Sequence, residues 1–566
     1  MDTDVTIVGC GPVGAVTANL LAQAGHTVDV YEKREEIFQI PRAVAFDDEV
    51  MRVFQDAGLG AQMASAVHPP AKKYRFLSAR KETMFNMQTR DYVEFNGWGK
   101  VYSFYQPDLE EELRAGFERF DHLSLYEAHE VEGITQREES VVTTVRDRNS
   151  NSAREITSKF VVGCDGGSST VRRLLDVTLE DYGFDGKWLV VDVELEDGSG
   201  LPQYPSQFAD PSRPTTFVPV GPNHYRWEFK ILDSESEAEV DTQAGIESLL
   251  ANWLEHDNYG IIRKQVYEFH ALLADEWRCD RTFLAGDAAH QMPPFAAEGM
   301  STGIRDAQNL AWKLDAVLRD VASSGLLNSY ERERKPQAEQ NIELSMRLGR
   351  LIQMDYPLAI VRDAVFRALH AIPPVHAKLD ELSPDPSRLS GGFQSVNHVG
   401  SRHRTGLLGR IKSEIGDDES AAGALFPQPT VQDPSGEMSR LDECITGFGL
   451  FGRNCDPTSF LSTQDIEYLD DIQCSLFRVP TSVTDLVDGD SETSVIYDRD
   501  GTLTDWWADY REDVVLVRPD HFVYGMCAPS DLPALIGDLR EDLESASTTP
   551  AAGTAPGADQ RNTILE

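Results

Sequence analysis

The chain opens with a hydrophobic pattern that predicts a compact β-α-β unit. Residues 4–9 form a short apolar run of strand type, and the stretch Gly9-Cys10-Gly11-Pro12-Val13-Gly14 follows it at once. Residues 15–24 have helical character, and Gly25 ends that helix. Residues 27–32 then alternate between apolar and polar side chains, which predicts a second strand.

Further along the chain, strand-type and helix-type patterns come in blocks. Short apolar or alternating runs favour strands, and longer amphipathic runs favour helices. Pro107 suits the first turn of a helix, and acidic residues follow it. The predicted elements are a β-hairpin over 71–95, a helix over 107–118, strands over 123–163 and 186–232, a strand over 282–285, and helices over about 300–320 and 327–354.

The pattern changes after Pro373-Pro374. Residues 380–430 are rich in Ser, Gly, Pro and Asp, which is typical of a linker or an extended crossing segment. Residues 430–540 regain strand and helix character and predict a small α/β domain. From about Ser545 the chain is small, polar and contains Pro and Gly, so we predict a disordered tail.

Length and composition limit the class of protein. A chain of 566 residues with 41% hydrophobic residues can form two to four domains with sizeable cores. No apolar stretch approaches the ~20 residues that a membrane span requires. The first residues carry neither the basic nor the apolar region of a signal peptide. We therefore expect a cytoplasmic protein without a membrane partner.

The charge balance is strongly acidic. The chain has 94 acidic and 52 basic residues, a net charge of −42, and 13 of the basic residues are Lys against 39 Arg. Phosphates would be repelled, so we expect no nucleic-acid partner. An acidic, Lys-poor surface stays hydrated at high ionic strength, which favours the hypothesis of a halophilic host; the alternative is an acidic mesophilic protein.

The seven cysteines stand at scattered positions and form no Cys-x-x-Cys pair. In a long chain this pattern is typical of reduced thiols and not of a disulfide framework or a zinc site. We expect no metal site.

The first motif with chemical meaning is Gly9-x-Gly11-x-x-Gly14. Its glycines allow a tight turn between strand and helix and a close approach to a pyrophosphate, which the helix N-terminus attracts. Glu32 ends the second predicted strand, where an acid can bind a ribose hydroxyl. The alternative is a glycine turn in some other doubly wound sheet. This motif does not separate NAD from FAD.

Two further motifs narrow the cofactor. Residues 281–294 read Arg-Thr-Phe-Leu-Ala-Gly-Asp-Ala-Ala-His-Gln-Met-Pro-Pro, a predicted strand and turn that carry Gly286-Asp287. The Asp287 carboxylate suits the hydroxyls of a flavin ribityl chain. Residues 162–173 form the third motif, around Cys164-Asp165-Gly166-Gly167.

Together the three motifs resemble those of the FAD-dependent aromatic hydroxylases of the p-hydroxybenzoate hydroxylase class. Within that class the chain is most similar to the 3-(3-hydroxyphenyl)propionate hydroxylases. In this class the Asp-Gly segment serves both FAD and the pyridine nucleotide. The resemblance extends over nearly the whole chain and is supported by residues 40–49, 305–314 and 517–523.

The resemblance implies a mixed α/β (α+β) fold. It implies a doubly wound, Rossmann-like FAD-binding domain of the glutathione-reductase type, an inserted β-rich substrate-binding domain and a thioredoxin-like C-terminal domain. Since thioredoxin chemistry needs Cys-x-x-Cys, we expect that last domain to serve packing or homodimer formation. The expected divisions are 1–70, 99–181 and 276–372 for FAD, 71–98 and 182–275 for substrate, 373–429 for a helix and linker, 430–544 for the thioredoxin-like domain, and 545–566 for the tail.

The resemblance also implies which residues contact FAD. It places Arg42 beside the phosphates and Gln106 near the flavin. The loop after Gly-Asp departs from the class, because Glu298 stands where a neutral amide is common, and we expect an effect on flavin potential or ring mobility. The implied cofactor contacts are Gly9, Gly11, Pro12, Gly14, Glu32, Lys33, Arg42, Gln106, Asp165, Asp287, Pro294, Gly299, Met300 and Ser301.

The implied reaction is hydroxylation of a phenol next to its hydroxyl group. NADH or NADPH reduces FAD, molecular oxygen forms a flavin hydroperoxide, and one oxygen atom is transferred to the ring to give a catechol. The expected substrate is 3-(3-hydroxyphenyl)propionate or a close relative. The alternatives are another phenol, such as resorcinol, a chlorophenol or a polyketide aromatic, and a flavin-binding module without oxygenation.

Three residues are candidates for catalysis, each with an alternative interpretation. Asp48 suits a base for the phenol, but Asp47-Asp48-Glu49 also suits a helix start, which we favour. His290 suits a proton relay or a bond to a backbone carbonyl. Arg226 suits a substrate carboxylate or a salt bridge to Glu228 or another neighbour.

The strand around Arg226 offers a further hypothesis. Alternation places Tyr225, Trp227 and Phe229 on one face and Arg226 and Glu228 on the other. The aromatic face either walls the substrate or belongs to an ordinary half-buried sheet.

Overall fold

A parallel β-sheet carries the N-terminal glycine motif at the carboxyl end of its first strand. The computed structural model describes residues 2–39, 43–68, 73–88, 95–195, 200–202, 204–221, 223–254, 259–379, 387–398, 400, 421–481 and 493–545. The predicted β-α-β unit is confirmed: helix Pro12–Gln23 joins two strands that pair in parallel. The sheet order is Arg278–Cys279, Thr282–Leu284, Ala153–Gly163, Thr3–Val8, Val28–Tyr31 and Leu123–Tyr126, with His129–Gln136 and Val141–Asp147 as an antiparallel extension.

Helices surround this sheet, and the longest central one is buried on almost every side. Residues 301–314 of helix Gly299–Leu318 are all buried, because the helix lies between the parallel sheet and the C-terminal domain. A helix that is covered by protein on both sides does not show a simple amphipathic period in its sequence. The helices here are Pro12–Gln23, Asp48–Asp56, Gly60–Ala66, Gln106–Ala115, Thr170–Leu174, Gly299–Leu318, Asn328–Ile352, Leu358–His370 and Pro373–Leu379.

A second, seven-stranded sheet is built from two separate stretches of the chain. The predicted hairpin is confirmed by strands Lys73–Ser78 and Thr83–Gln88, and the other strands come from residues 186–269. Helices Glu237–Val240 and Gln243–Leu250 lie against one face, where Trp227 and Phe229 join their apolar cluster. The strand order is Tyr259–Phe269, Gly186–Leu195, His224–Lys230, Thr215–Gly221, Ser206–Ala209, Lys73–Ser78 and Thr83–Gln88.

Two small sheets link the large ones. Ala45–Asp47 pairs with Val101–Ser103, and Leu272–Ala274 pairs with both Leu179–Asp181 and His290–Gln291. The sheet around Leu272–Ala274 lies where the chain passes between the two large sheets. Its strand pairs therefore help to fix the positions of the large sheets relative to each other.

The C-terminal part forms a five-stranded sheet with an apolar cluster on each face. One cluster includes Trp312 and Leu326 of the preceding helical region, so the C-terminal sheet shares a core with the rest of the chain. Its strands are Ser494–Val495, Ser475–Val479, Gly449–Arg453, Val514–Val517 and Val523–Cys527, beside a small sheet of Met438–Arg440, Thr430–Gln432 and Tyr497–Asp498. Its helices are Thr463–Asp471, Thr502–Ala508 and Leu532–Glu544.

Buried ion pairs join the C-terminal part to the helices around the parallel sheet. Arg52 Nε lies 2.5 Å from Asp442 Oδ2, and Arg518 Nη2 lies 2.8 Å from Glu333 Oε2. His521 also bonds to Asp56 at 2.8 Å. These charges stabilise the joint only as pairs, because an isolated buried charge costs several kcal/mol.

Parts of the predicted linker and tail lie outside the described residues, namely 380–386, 399, 401–420 and 546–566. The described piece 387–398 crosses toward the parallel-sheet region, where Ser387 Oγ bonds to Glu49 Oε2 at 2.5 Å. In the described ranges, every helix is too short or too polar to cross a bilayer.

Candidate active site

A cavity of about 1210 Å³ is lined by residues of both large sheets. Gly14, Ser301 and His290 lie outside its lining, and Arg42 lies outside the described residues. The structure thus brings most of the residues predicted from distant motifs to one place. Those in the lining are Gly9, Gly11, Pro12, Glu32, Lys33, Asp48, Gln106, Asp165, Arg226, Asp287, Pro294, Gly299 and Met300.

The glycine turn is closely packed on its protein side and open on its cavity side. Gly9 has a φ of +97°, and a Cβ there would lie 2.6 Å from the carbonyl oxygen of Cys164. A Cβ on Gly14 would lie 2.0 Å from the carbonyl oxygen of Gly9. A Cβ on Gly11 would meet no described atom within 4 Å, so Gly11 borders space that a ligand can fill.

Helix Pro12–Gln23 begins at this turn without a capping side chain among the described residues. Its first N–H groups therefore face the cavity unpaired, which suits a pyrophosphate. Glu32 closes the other side: its Oε2 accepts a hydrogen bond from Cys10 N at 2.9 Å, and its Oε1 accepts one from Arg34 N at 3.0 Å. These bonds orient the carboxylate at the cavity wall.

The second motif packs directly against the first. Gly286 has a φ of +60°, and its N–H donates to Asp306 Oδ2 at 3.1 Å. A Cβ on Gly303 would lie 2.9 Å from Gly286 Cα, so helix Gly299–Leu318 comes as close to the turn as glycine allows. Asp287 follows in a short 3-10 turn and lines the cavity.

Asp165 and Gln106 have local structural partners besides their place in the cavity wall. Asp165 accepts hydrogen bonds from Ser169 Oγ and from Thr170 N, the latter at 2.6 Å, so it stabilises the start of helix Thr170–Leu174. Gln106 Oε1 accepts from Ala43 N at 3.1 Å, and its Nε2 donates to Glu110 Oε1 at 2.8 Å. Ala43, which follows Arg42 in the chain, is therefore tied to Gln106.

A cluster of charges that the sequence motifs do not indicate lies near the start of helix Gly299–Leu318. Arg305 pairs with Asp47, with Glu49 at 2.9 Å between Nε and Oε2, and with Glu298 at 3.0 Å between Nη1 and Oε2. Three carboxylates thus surround one guanidinium. Burial raises the pKa of Glu298, Arg305 lowers it, and the carboxylates of Asp47 and Glu49 raise it; together they bring the pKa to about 7.

Glu298→Gln is expected to reduce the loss of stability between pH 5 and pH 8. Because the folded pKa of Glu298 lies above the ordinary glutamate value, its stabilising contribution is full below about pH 4.3 and is lost as the pH rises through 7. The side chain is 24% exposed, so the difference between variant and wild type is about 1–3 kcal/mol. Urea unfolding at pH 5 and pH 8 measures it.

The exposed Glu343→Gln serves as the control, since Glu343 is 47% exposed and pairs with Arg347 in the helix that carries both. Its free energy of unfolding should follow the wild-type pH dependence. Identical pH profiles for Glu298→Gln and wild type would refute the buried-carboxylate explanation.

The wall opposite the glycine turn is the polar face of the seven-stranded sheet. Arg226 and Glu228 line the cavity, whereas Trp227 and Phe229 point to the other side and pack with helix Gln243–Leu250. The hypothesis of an aromatic wall is wrong, and Tyr225 also belongs to that outer cluster. Residues on both faces of the strand are buried. The alternation of side chains therefore separates the two faces but does not indicate which face borders the cavity.

Arg226 is fully buried and paired with a residue that the sequence motifs do not indicate. Its Nε lies 2.6 Å from Asp192 Oδ1 and its Nη2 lies 3.0 Å from Asp192 Oδ2, a bidentate pair across adjacent strands. Arg263 Nε adds a bond of 2.7 Å to the same carboxylate. Burial opposes ionisation of Asp192, but the two guanidiniums hold its pKa well below the ordinary value. The salt-bridge interpretation of Arg226 is therefore confirmed, with Asp192 as the partner.

The other two catalytic candidates have different surroundings. Asp47 caps helix Asp48–Asp56 by accepting from Val50 N at 3.1 Å, which confirms the helix-start interpretation. Asp48 itself lines the cavity, and burial raises its pKa to about 6 although Lys100 lies 3.3 Å away.

His290 is almost completely buried behind the cavity wall. Its Nε2 lies 2.8 Å from Asp306 Oδ2, and its ring stacks on Trp277 at 5.3 Å. Asp306 also accepts from Arg334 Nε at 2.9 Å. The structure therefore brings His290 into a buried ion-pair network and not to the cavity, and its partner is a carboxylate and not a backbone carbonyl.

Comparison with known proteins agrees with this geometry. Residues 2–345 match a family described as "FAD binding domain", and residues 423–542 match one described as "HcaD C-terminal domain". A 3-(3-hydroxy-phenyl)propionate/3-hydroxycinnamic acid hydroxylase of Comamonas testosteroni is 32% identical, with 96% of this chain and 97% of the relative covered. The chain belongs to the family of FAD-dependent aromatic monooxygenases.

A second relative supports the family, and a solved structure supports the fold. The hydroxylase of the same name from Paraburkholderia xenovorans (strain LB400) is 34% identical over 95% of this chain and 91% of the relative. The solved structure of the flavin-dependent monooxygenase PieE in complex with FAD and substrate superposes with a TM-score of 0.78. It covers 96% of this chain and 99% of that chain at 19% identity, so it supports the fold alone.

The residues of the cavity fit FAD. The open Cβ position of Gly11, the uncapped helix N-terminus and the oriented Glu32 together form a cradle for the pyrophosphate and ribose of a dinucleotide. Asp287 lines the same cavity, which continues toward the seven-stranded sheet.

Proposed function

We propose that this protein hydroxylates a phenol next to its hydroxyl group and releases a catechol, with NADH or NADPH as reductant and molecular oxygen as co-substrate. The observation that carries the proposal is one continuous cavity that joins a dinucleotide cradle to an apolar wall with a few polar groups. The relatives named 3-(3-hydroxy-phenyl)propionate/3-hydroxycinnamic acid hydroxylase favour a 3-hydroxyphenyl alkanoate as substrate.

Bound FAD would supply the electron transfer and the activation of oxygen. In this proposal the chain contributes binding and orientation. Gly9, Gly11 and the N-terminus of helix Pro12–Gln23 hold the pyrophosphate, Glu32 holds the ribose and Asp287 holds the ribityl hydroxyls. Lys33, Gln106, Asp165, Pro294, Gly299, Met300 and Ser301 remain proposed contacts of the same cofactor.

The chain must also keep water from the reacting ring. Apolar side chains on the substrate side suit this task, because they bury a ring and leave few positions for water. The lining there includes Met87, Val190, Val218, Phe269 and Pro294. The pair Arg226–Asp192 stiffens the wall, since both side chains are buried and bonded bidentately.

We propose a thioredoxin-like fold for the C-terminal part. Gly449–Arg453 and Ser475–Val479 pair in parallel, and Val514–Val517 and Val523–Cys527 pair antiparallel beside them. This strand arrangement supports the proposal. Without Cys-x-x-Cys, the role that remains is packing or homodimer formation.

The proposed function predicts strong stimulation of NADH or NADPH oxidation by a phenol. FAD-loaded protein is assayed with each nucleotide, with and without a panel of phenols, at high and at low salt, while hydrogen peroxide and catechol are quantified. A 3-hydroxyphenyl alkanoate should stimulate oxidation with little peroxide and about one catechol per nucleotide. Activity lost at low salt would support the halophilic hypothesis.

The outcomes separate the alternatives. Stimulation by another phenol would change only the substrate. Oxidation without stimulation by any phenol, or with every electron recovered as peroxide, would refute the hydroxylase proposal and favour an oxidase or a flavin-binding module.

A further inference from the structure

Glu228 is a buried carboxylate on the substrate side of the cavity. It lies near the middle of strand His224–Lys230, the third strand of the seven-stranded sheet, and is 8% exposed. In the strand register its neighbours are Val190 on one side and Thr216 on the other, and both line the cavity with it. The carboxylate therefore stands in the cavity wall between an apolar and a hydroxyl-bearing neighbour.

Glu228 receives no hydrogen bond from any residue that the structure describes. Arg226 Nη1 is the nearest cation, at 4.0 Å from Glu228 Oε1, but Arg226 Nε and Nη2 are both bonded to Asp192. Arg263 is also held by Asp192. An ionised Glu228 therefore presents lone pairs to the cavity that no described donor occupies.

A polar row continues from Glu228 across the sheet. Thr216 Oγ donates to Gln207 Oε1 at 2.8 Å, and Gln207 Nε2 donates to the Tyr74 hydroxyl oxygen at 2.6 Å. Tyr74 lines the same cavity, and burial, together with the charge of Glu228, raises the pKa of Tyr74. Tyr74 thus keeps a proton to donate, close to a carboxylate that can accept one.

We propose that Glu228 accepts the hydroxyl proton of the phenol substrate, while Tyr74 donates a hydrogen bond to the same oxygen. The inference rests on the proposed function. The O–H bond of the phenol breaks, its electron pair stays on oxygen, and the proton forms an O–H bond with a Glu228 carboxylate oxygen; no electron is transferred. The phenolate increases electron density at the ring carbon beside it, where hydroxylation occurs.

The groups around Glu228 favour this step. Burial raises the pKa of Glu228, and Asp192 raises it further, whereas Arg226 and Arg263 lower it. A phenolate beside a carboxylate would place two like charges together, so the transferred proton stays on Glu228. Two other acids in the lining have partners: Asp48 accepts a hydrogen bond from Asn96, and Glu298 pairs with Arg305.

The test is the ionisation of 3-(3-hydroxyphenyl)propionate bound to the FAD-loaded, oxidised protein. The phenolate absorbs at longer wavelength than the phenol, so the spectrum at pH 7 gives the ratio of the two forms. In the wild-type protein a measurable fraction of the bound ligand should absorb as phenolate at pH 7, although the pKa of the free phenol is near 10. Glu228→Gln should lower this fraction at least about tenfold and lower kcat/KM by about 10²–10⁴-fold.

Glu194→Gln is the matched control, because Glu194 is exposed on the neighbouring strand and lies outside the cavity lining. It should show the same phenolate fraction as the wild type. Equal fractions for Glu228→Gln and wild type, or no phenolate in the wild type, would overturn the assignment, whereas failure of the wild type to hydroxylate any phenol would overturn the proposed function itself.

A second measurement uses only the wild-type protein and so does not depend on the folding of a variant. Calorimetry at pH 8 in buffers of different ionisation enthalpy counts the protons released when the phenol binds. Phenolate formation without net proton release supports an internal acceptor. Release of one proton for each phenolate formed would overturn the proposal.

Discussion

Gly11→Ala is expected to weaken FAD binding about 10- to 100-fold while the protein stays folded. A Cβ at Gly11 meets no described atom within 4 Å, so the methyl group enters only the space left for the cofactor. Forcing a methyl group into a filled contact costs about 1–3 kcal/mol, and each 1.4 kcal/mol changes affinity tenfold. Titration of the FAD-free protein with FAD, followed by flavin fluorescence, measures the affinity.

Gly14→Ala is the matched comparison three residues away. Its Cβ would lie 2.0 Å from the carbonyl oxygen of Gly9, which cannot move without breaking the turn. We expect a loss of about 2–4 kcal/mol in the free energy of unfolding, or failure to fold. Gly11→Ala should change that free energy by no more than about 1 kcal/mol, because its backbone is extended and accepts alanine.

Urea unfolding of both variants without FAD separates the two effects. If Gly11→Ala bound FAD as tightly as the wild type, the glycine turn would not carry the pyrophosphate, and the cavity would need another orientation of the cofactor. If Gly14→Ala were as stable as the wild type, the close packing described at the turn would be wrong.

Glu333→Gln is expected to lower the free energy of unfolding by about 3–5 kcal/mol. Glu333 is fully buried and accepts bonds from Lys313 Nζ at 2.7 Å and from Arg518 Nη2 at 2.8 Å. A neutral amide leaves Lys313 without the carboxylate that it contacts and leaves Arg518 paired with Asp520 alone, which is costly in a low-dielectric interior. Since Arg518 belongs to the C-terminal sheet region, the joint to helix Asn328–Ile352 should loosen first.

The pH dependence of stability provides an independent check on Glu333. Burial opposes its ionisation, but Arg518 and Lys313 hold its pKa well below the ordinary value. Its contribution is therefore present above about pH 4.3 and is lost as the pH falls further. The Glu333→Gln variant should lack that acid-dependent loss.

Arg347→Ala is the control for Glu333→Gln. Arg347 pairs with Glu343 in the same helix, but the two side chains are 73% and 47% exposed. An exposed pair of this kind contributes about 0.5 kcal/mol or less. Urea unfolding followed by tryptophan fluorescence compares the two variants. Equal losses would show that burial of the Glu333 network does not determine its contribution.

Local sequence signals were sufficient for the elements that hold the dinucleotide. The strand, Gly9-x-Gly11-x-x-Gly14 and the following helix are neighbours in the chain, and their geometry follows from glycine conformation and helix polarity. The same is true of the turn at Gly286-Asp287, which the resemblance to aromatic hydroxylases connected to the flavin. The confirmed hairpin over residues 73–88 and the helix that begins at Gly299 belong to this group.

The cavity wall formed by the seven-stranded sheet could not be predicted from local sequence signals. Arg226 and Asp192 are 34 residues apart, and only strand pairing places them opposite each other. The alternation of Arg226, Trp227 and Glu228 separated two faces correctly, but both faces are covered by protein. Which face borders the cavity depends on where helix Gln243–Leu250 packs, and local periodicity carries no information about that.

By itself, then, the sequence determined the nucleotide-binding turns, their order along the chain and the class of cofactor, because each depends on residues within a few positions of one another. The tertiary structure alone decided that His290 lies behind the wall, that Arg305 gathers three carboxylates, and that Glu228 faces the cavity without a hydrogen-bond donor among the described residues. Those features depend on burial and on charges brought together across strands and helices, and a side chain's pKa and partners are set by that environment.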